Sequence, residues 1–180
     1  MAALEWLAAE DVPHVVIGGV AASILGEPRA TLDLDLLVLA EQARWAGLVD
    51  AAATYQLHPR ISDALAFAMR SRVLLLSHEP SSVPVDVTFG ALPFERDAIA
   101  QRGVVELRGL RVPVPRVEDL IIMKAVAHRE IDLGDVYRLL RTNHDVDLVY
   151  TRERIAEFAS VLDSPEILDD FDRAARRPGD

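Results

Sequence analysis

Two neighbouring stretches decide the fold: Gly18-Gly19-Val20-Ala21, and Arg29-Ala30-Thr31-Leu32-Asp33-Leu34-Asp35-Leu36-Leu37-Val38-Leu39. The second begins as alternating apolar and acidic residues and ends as a continuous apolar run, which reads as a strand over 32–39 entering a core. Side chains alternate along a strand, so Asp33 and Asp35 are expected on one face, with Leu32, Leu34 and Leu36 on the other. Two carboxylates at that spacing repel each other unless a positive group lies between them, and the usual remedies are a divalent cation or an arginine. The first stretch follows the β-branched run His14-Val15-Val16-Ile17 and precedes a short helix, Val20 to Leu25, closed by Gly26. A strand–Gly-Gly–helix turn presents backbone N–H groups to an anion, and the absent Cβ atoms allow a phosphate close approach.

Working outward, a short helix is expected over 2–10, helices over 41–55 and 63–69, and strands over 72–76 and 83–89 joined by Glu79-Pro80-Ser81-Ser82. A helix over 93–101 and a hairpin over 104–107 and 111–114 follow. From Val117 the period turns helical, over 117–128, 133–142, 151–162 and 165–176. The fold class is therefore α+β: a small mixed β-sheet flanked by helices over 1–115, with a helical C-terminal part over 116–180, the two forming one structural domain. In Val83-Pro84-Val85-Asp86-Val87-Thr88, Asp86 is a lone acid in an apolar strand. If that strand lies beside the Asp33/Asp35 strand, three carboxylates converge, enough to hold metal ions for phosphoryl transfer. Arg29, in the loop before the acidic strand, is placed to clamp a phosphate with its fork of donors.

Composition removes several classes of function. There is no cysteine, so disulfides and thiolate metal sites are excluded. The five histidines are scattered without zinc-site spacing, and no serine stands in a nucleophile elbow. Neither common Gly-rich nucleotide motif is present. A net charge of −10 argues against a nucleic-acid coating role. The apolar runs are too short to span a membrane, and the N-terminus lacks a basic leader, so a soluble cytoplasmic protein is expected. Disorder is expected only over the last residues, 176–180. Of 19 basic residues Lys124 is the one lysine, a compact point charge among planar guanidinium forks that singles it out for a phosphate contact, though a lysine on this helix could equally snorkel outward.

The string from Val16-Ile17-Gly18-Gly19-Val20-Ala21 to Gly26-Glu27-Pro28-Arg29-Ala30-Thr31-Leu32-Asp33-Leu34-Asp35-Leu36 resembles the nucleotidyltransferase superfamily typified by DNA polymerase β. Within it, the chain is similar to the bacterial branch that includes AbiEii-type toxins of toxin–antitoxin systems. Pro84-Val85-Asp86-Val87 matches the third carboxylate. Val117-Glu118-Asp119-Leu120-Ile121-Ile122-Met123-Lys124-Ala125, with Arg129, Asp132 and Asp135 after it, resembles the C-terminal helical motif. The match runs over about residues 14–140.

The resemblance implies transfer of a nucleoside monophosphate from an NTP to a hydroxyl acceptor, with release of pyrophosphate. Asp33 and Asp35 would bind Mg2+ (or Mn2+), and Asp86 would complete the site and act as base. Gly18 and Gly19 would hold the triphosphate, with Thr31 also on the nucleotide and Lys124 on its phosphates. Asp132 and Asp135 would lie near the nucleotide; the residues alone read equally well as bracing the next helix. One departure from the superfamily is Val20, where a serine often follows the two glycines. The acceptor implied is a tRNA or other RNA end, a protein or a small molecule, and an antitoxin protein is an implied partner. Two alternatives stand beside this reading: an inactive nucleotide-binding or interaction module, and an enzyme modifying a small cationic antibiotic, which the acidic charge would suit.

Overall fold

The computed structural model describes residues 1–176; the expected disorder from residue 177 onward lies outside them. The chain divides into two compact units. One comprises Met1–Val20 and Ala30–Pro115, the other Ala21–Arg29 and Arg116 onward.

The first unit holds α1 (Ala2–Ala9), β1 (His14–Ile17), β2 (Leu34–Val38), α3 (Trp45–Ala52), β3 (Leu57–Pro59), α4 (Ala64–Ser71), β4 (Val73–His78), β5 (Val83–Phe89), α5 (Pro93–Ala100), β6 (Gly103–Leu107) and β7 (Leu110–Val114). The break between the units falls inside α2 (Gly18–Leu25). Five strands form one mixed sheet in the order β1-β2-β5-β4-β3, in which only β2 and β5 are parallel; β6 and β7 form a separate hairpin. The turn between these two, Arg108-Gly109, has both residues at positive φ (51° and 80°), the twist that suits a tight two-residue hairpin.

Strand β5 shows why the sheet has a dry face and a wet one. Val85, Val87 and Phe89 are buried while Asp86 and Thr88 between them are half-buried, a period of two. Their neighbours across the dry face, Leu36, Val38, Leu74 and Leu76, are equally buried. Trp45 of α3 stacks on Phe89 with ring centroids 3.9 Å apart, closing that face. Each such fully buried side chain contributes about 1.5–3 kcal/mol.

Several elements differ from the expectations; helix α2, for one, begins at Gly18 and not at Val20. Strand β2 begins at Leu34, not Leu32. Its antiparallel partner β1 pairs only as far as Ile17↔Asp35, because Gly18 turns the chain at φ 64°, and β5 pairs only from Leu34↔Val85. Residues 32 and 33 therefore have no ladder, Leu32 is 86% exposed instead of packed with Leu34 and Leu36, and alternation does not govern Asp33. The short strand β3, ending on a proline at the sheet edge, was not expected at all. The helix expected over 41–55 is α3 with a 3-10 turn at each end.

The second unit carries α6 (Val117–Ala127), α7 (Glu130–Thr142), α8 (Leu148–Val161) and α9 (Glu166–Ala175). Two of these start three residues earlier than expected. In α8 the reason is a cap: the Asp147 carboxylate accepts the Tyr150 N–H at 2.9 Å. At the start of α6, Arg116 grips buried Asp119 with two hydrogen bonds of 3.0 and 2.9 Å, and Tyr150 donates to the same carboxylate at 3.3 Å. No helix among the described residues is long and apolar enough to cross a membrane.

Candidate active site

The wet face of the sheet carries the carboxylates. Asp35 on β2 stands directly beside Asp86 on parallel β5, Ile17 of β1 flanks Asp35, and Leu75 of β4 flanks Asp86. Directly opposed residues share a face, so Ile17, Asp35, Asp86 and Leu75 form one row across four strands. Asp33 lies just before β2 and acts on Asp86 through space: its negative charge helps raise the Asp86 pKa. Burial is the larger cause of that rise, and Arg60 works against it, leaving the carboxyl above its ordinary value. Thr31 donates its hydroxyl to Asp33 at 2.8 Å, which holds this carboxylate on the lead-in to the strand.

Gly18 has a more exact reason than phosphate approach. A Cβ built there would lie 1.8 Å from Asp35 Oδ2, 2.6 Å from its Cγ and 2.8 Å from its Cβ. The missing side chain is what allows the Asp35 carboxylate to stand over the end of β1. Gly19, buried in the first turn of α2, follows directly.

Arg60 is the residue that sequence reasoning missed. Its backbone N–H donates to Leu75 O at 3.0 Å, prolonging the β3 edge and bringing Arg60 into the row. From there its guanidinium reaches over Leu75 and pairs with Asp86 Oδ1. The need for a positive group beside the acids was legible, but Arg60 is 25 residues downstream of Asp35 with no motif around it. Only the pairing of β3 with β4 gives it a place.

Among the described residues, no three His, Cys, Asp or Glu side chains are drawn together tightly enough to hold a metal ion. Asp86 is turned onto Arg60 and Asp33 onto Thr31. The donor set nevertheless fits a hard divalent cation: three half-exposed or exposed carboxylates supply only oxygen, and one of them already holds a cationic stand-in, the Arg60 guanidinium.

The remaining sequence candidates lie in the second unit, in an ion network. Lys124 is 4% exposed, Asp132 0% and Asp135 1%. The Lys124 ammonium lies 2.7 Å from Asp132 Oδ1 and 3.0 Å from Asp135 Oδ2. Arg29 closes its fork on Asp135 with two bonds of 2.7 Å, so the guanidinium read as a phosphate clamp grips a protein carboxylate. Arg129 holds Asp132 at 2.5 and 3.2 Å, and Arg138 reaches Asp135 at 3.3 Å. This explains the one lysine: a compact ammonium fits between two buried carboxylates where a planar guanidinium would not.

Burial disfavours charge on Asp132, but hydrogen bonds from Arg129 and Lys124 outweigh it and hold its pKa below the ordinary value. Asp135 is lowered in the same way by Arg29 and Lys124. Each pKa is lower folded than unfolded, so each contributes stability that is fully present above the unfolded value and lost as pH falls through the folded one. Urea midpoints of the wild-type chain should therefore drop more steeply from about pH 4 downward than those of Asp132→Asn. Parallel pH profiles would show the network adds nothing.

The chain matches, over residues 2–177, the family described as the nucleotidyl transferase AbiEii toxin of type IV toxin–antitoxin systems. It belongs to the AbiEii nucleotidyltransferase toxin family. This AbiEii-family chain is thus a nucleotidyltransferase, with a small mixed sheet flanked by helices. Two solved structures share the fold. One is an antigenic nucleotidyltransferase-like protein from Paracoccidioides brasiliensis, at TM-score 0.55 and 13% identity, covering 94% of this chain and 90% of that one. The other is the antibiotic-resistance factor ANT(2'')-Ia, at TM-score 0.50 and 12% identity, covering 96% and 86%. No curated protein matches the chain.

Proposed function

We propose that this AbiEii-family chain moves a nucleoside monophosphate from an NTP to a hydroxyl acceptor at the Asp33/Asp35/Asp86 row, with Mg2+ or Mn2+ bound there. The observation that carries this reading is the side-by-side register of Asp35 and Asp86 on parallel strands, with Asp33 close enough to act on Asp86. When bound, the divalent ion supplies charge neutralisation for the phosphates and the developing oxyanions. Asp33 and Asp35 supply its oxygen ligands. Gly18 keeps Asp35 in place, and the Gly18-Gly19 turn offers backbone N–H groups to the triphosphate. Asp86, its carboxyl raised by burial, is suited to take the proton of the acceptor hydroxyl. The hydroxyl oxygen bonds to the α-phosphorus, the bond from that phosphorus to the bridging oxygen breaks, and pyrophosphate leaves with the electron pair.

In this reading Thr31 serves the nucleotide through Asp33, and Lys124, Arg29, Asp132 and Asp135 keep the second unit folded. The acceptor is a tRNA or other RNA end, a protein hydroxyl or a small molecule, and the type IV family points to an antitoxin partner. A second reading, modification of a small cationic antibiotic, is favoured by the net charge of −10 and by the resemblance in fold to a resistance factor. Expression in cells separates the two: slowed growth supports a toxin, and raised antibiotic tolerance supports the other.

Isothermal titration of each NTP with Mg2+ tests the site. Wild type should bind one or more NTPs only with the metal, and Asp33→Ala/Asp35→Ala should weaken binding at least tenfold while keeping its fold by circular dichroism. Equal binding by both proteins would overturn the proposal.

A further inference from the structure

The Arg60–Asp86 ion pair lies on the carboxylate row itself. Both side chains are 32% exposed, so this is a pair at the rim of the row and not a core brace. The two groups flank β4, Arg60 just past the end of β3 and Asp86 on β5, and the guanidinium crosses Leu75 to reach the carboxylate. Its own backbone is fixed on the β4 edge through Leu75 O, so the side chain can swing while its root stays in register. Asp86 stands directly beside Asp35 on the parallel ladder, and the negative charge of Asp33 also acts on it, so a cation is attracted to this end of the row.

Resting on the function proposed above, we infer that Arg60 competes with the divalent ion for Asp86 and so couples metal entry to nucleotide entry. A metal ion arriving alone must displace the guanidinium, which then has lost its anion and faces a dication. An ion arriving with a triphosphate brings the guanidinium a new partner, because a phosphate oxygen accepts the same fork that Asp86 gave up. Metal and nucleotide therefore strengthen each other's binding, and linkage makes the effect equal in both directions. Arg60 is a contact to the triphosphate in the loaded site and a surrogate cation in the empty one.

The test is the coupling itself, measured without turnover. Mn2+ binding is followed by calorimetry or electron paramagnetic resonance, with and without a non-hydrolysable NTP analogue, for wild type, Arg60→Ala and Arg60→Lys. In Arg60→Ala, Mn2+ alone should bind about fivefold to tenfold more tightly, and its gain on adding the analogue should shrink by a similar factor. Arg60→Lys, which keeps the charge without the fork, should fall between. Without metal, Arg60→Ala should melt about 2–4 °C below wild type, and saturating Mn2+ should restore it. A coupling unchanged within twofold in Arg60→Ala overturns the inference. If Asp33→Ala/Asp35→Ala binds Mn2+ as well as wild type does, the carboxylate site fails first. If that variant loses Mn2+ while Arg60→Ala behaves as wild type, the Arg60 inference alone fails.

Discussion

Lys124→Met lowers the stability of the chain by about 3–5 kcal/mol, the range for breaking a buried ion pair by removing one partner. For a chain of this size that corresponds to a melting temperature roughly 6–20 °C lower. The argument rests on what is left behind. Asp132 and Asp135, almost without solvent exposure, lose the ammonium that lies within 2.7 and 3.0 Å of them. Each keeps an arginine, Arg129 or Arg29, but the Arg129 head is largely in solvent and screens weakly. Methionine nearly matches the lysine stem in volume, so the loss reports charge and not a cavity. Lys124→Arg should also destabilise, because its larger planar head does not fit between the two carboxylates. In Lys124→Met/Asp132→Asn one orphaned charge is gone, and part of the loss should return. Urea titrations of the three variants decide it. A wild-type midpoint in Lys124→Met would show that the lysine is not structural and would restore the phosphate contact as its role.

These residues also show how far the sequence could be read. The alternation of Val85, Asp86, Val87, Thr88 and Phe89 is visible in the letters because one face of a sheet is buried, and burial has a period. Convergence of the carboxylates was expected only on the condition that the Asp33/Asp35 strand and the Asp86 strand lie side by side, and β2 and β5 do. Asp33 was placed on the same ladder by the same rule and is not on it, because the pairing with β1 ends at Ile17↔Asp35 and the pairing with β5 begins only at Leu34↔Val85. Where a strand ends depends on its neighbours, and no local pattern encodes that. Arg60 and Arg29 make the same point about charge. Eighteen residues of one type give no local sign of which guanidinium meets which carboxylate. The contacts Arg60–Asp86 and Arg29–Asp135 span 26 and 106 positions and are set by topology.

Gly18→Ala should disable the site and the sheet edge together. At φ 64° an alanine costs about 1–2 kcal/mol for the left-handed backbone alone. The new methyl would then lie 1.8 Å from Asp35 Oδ2 and 2.8 Å from the Asp35 Cβ. The first contact can be relieved by turning the carboxylate away, which removes a proposed metal ligand. The second cannot, since a Cβ moves only with its backbone, so the Ile17↔Asp35 pairing at the end of β1 must open. The expected total is about 2–4 kcal/mol, with metal-dependent NTP binding reduced beyond detection. Gly18→Ala/Asp35→Ala separates the two effects. It removes the contacts to Oδ2 and Cγ and leaves the one to Cβ, so part of the stability should return while binding stays lost. If the single variant instead binds NTP like wild type at an unchanged urea midpoint, Asp35 is not held where a metal ligand must be, and the carboxylate row loses its anchor.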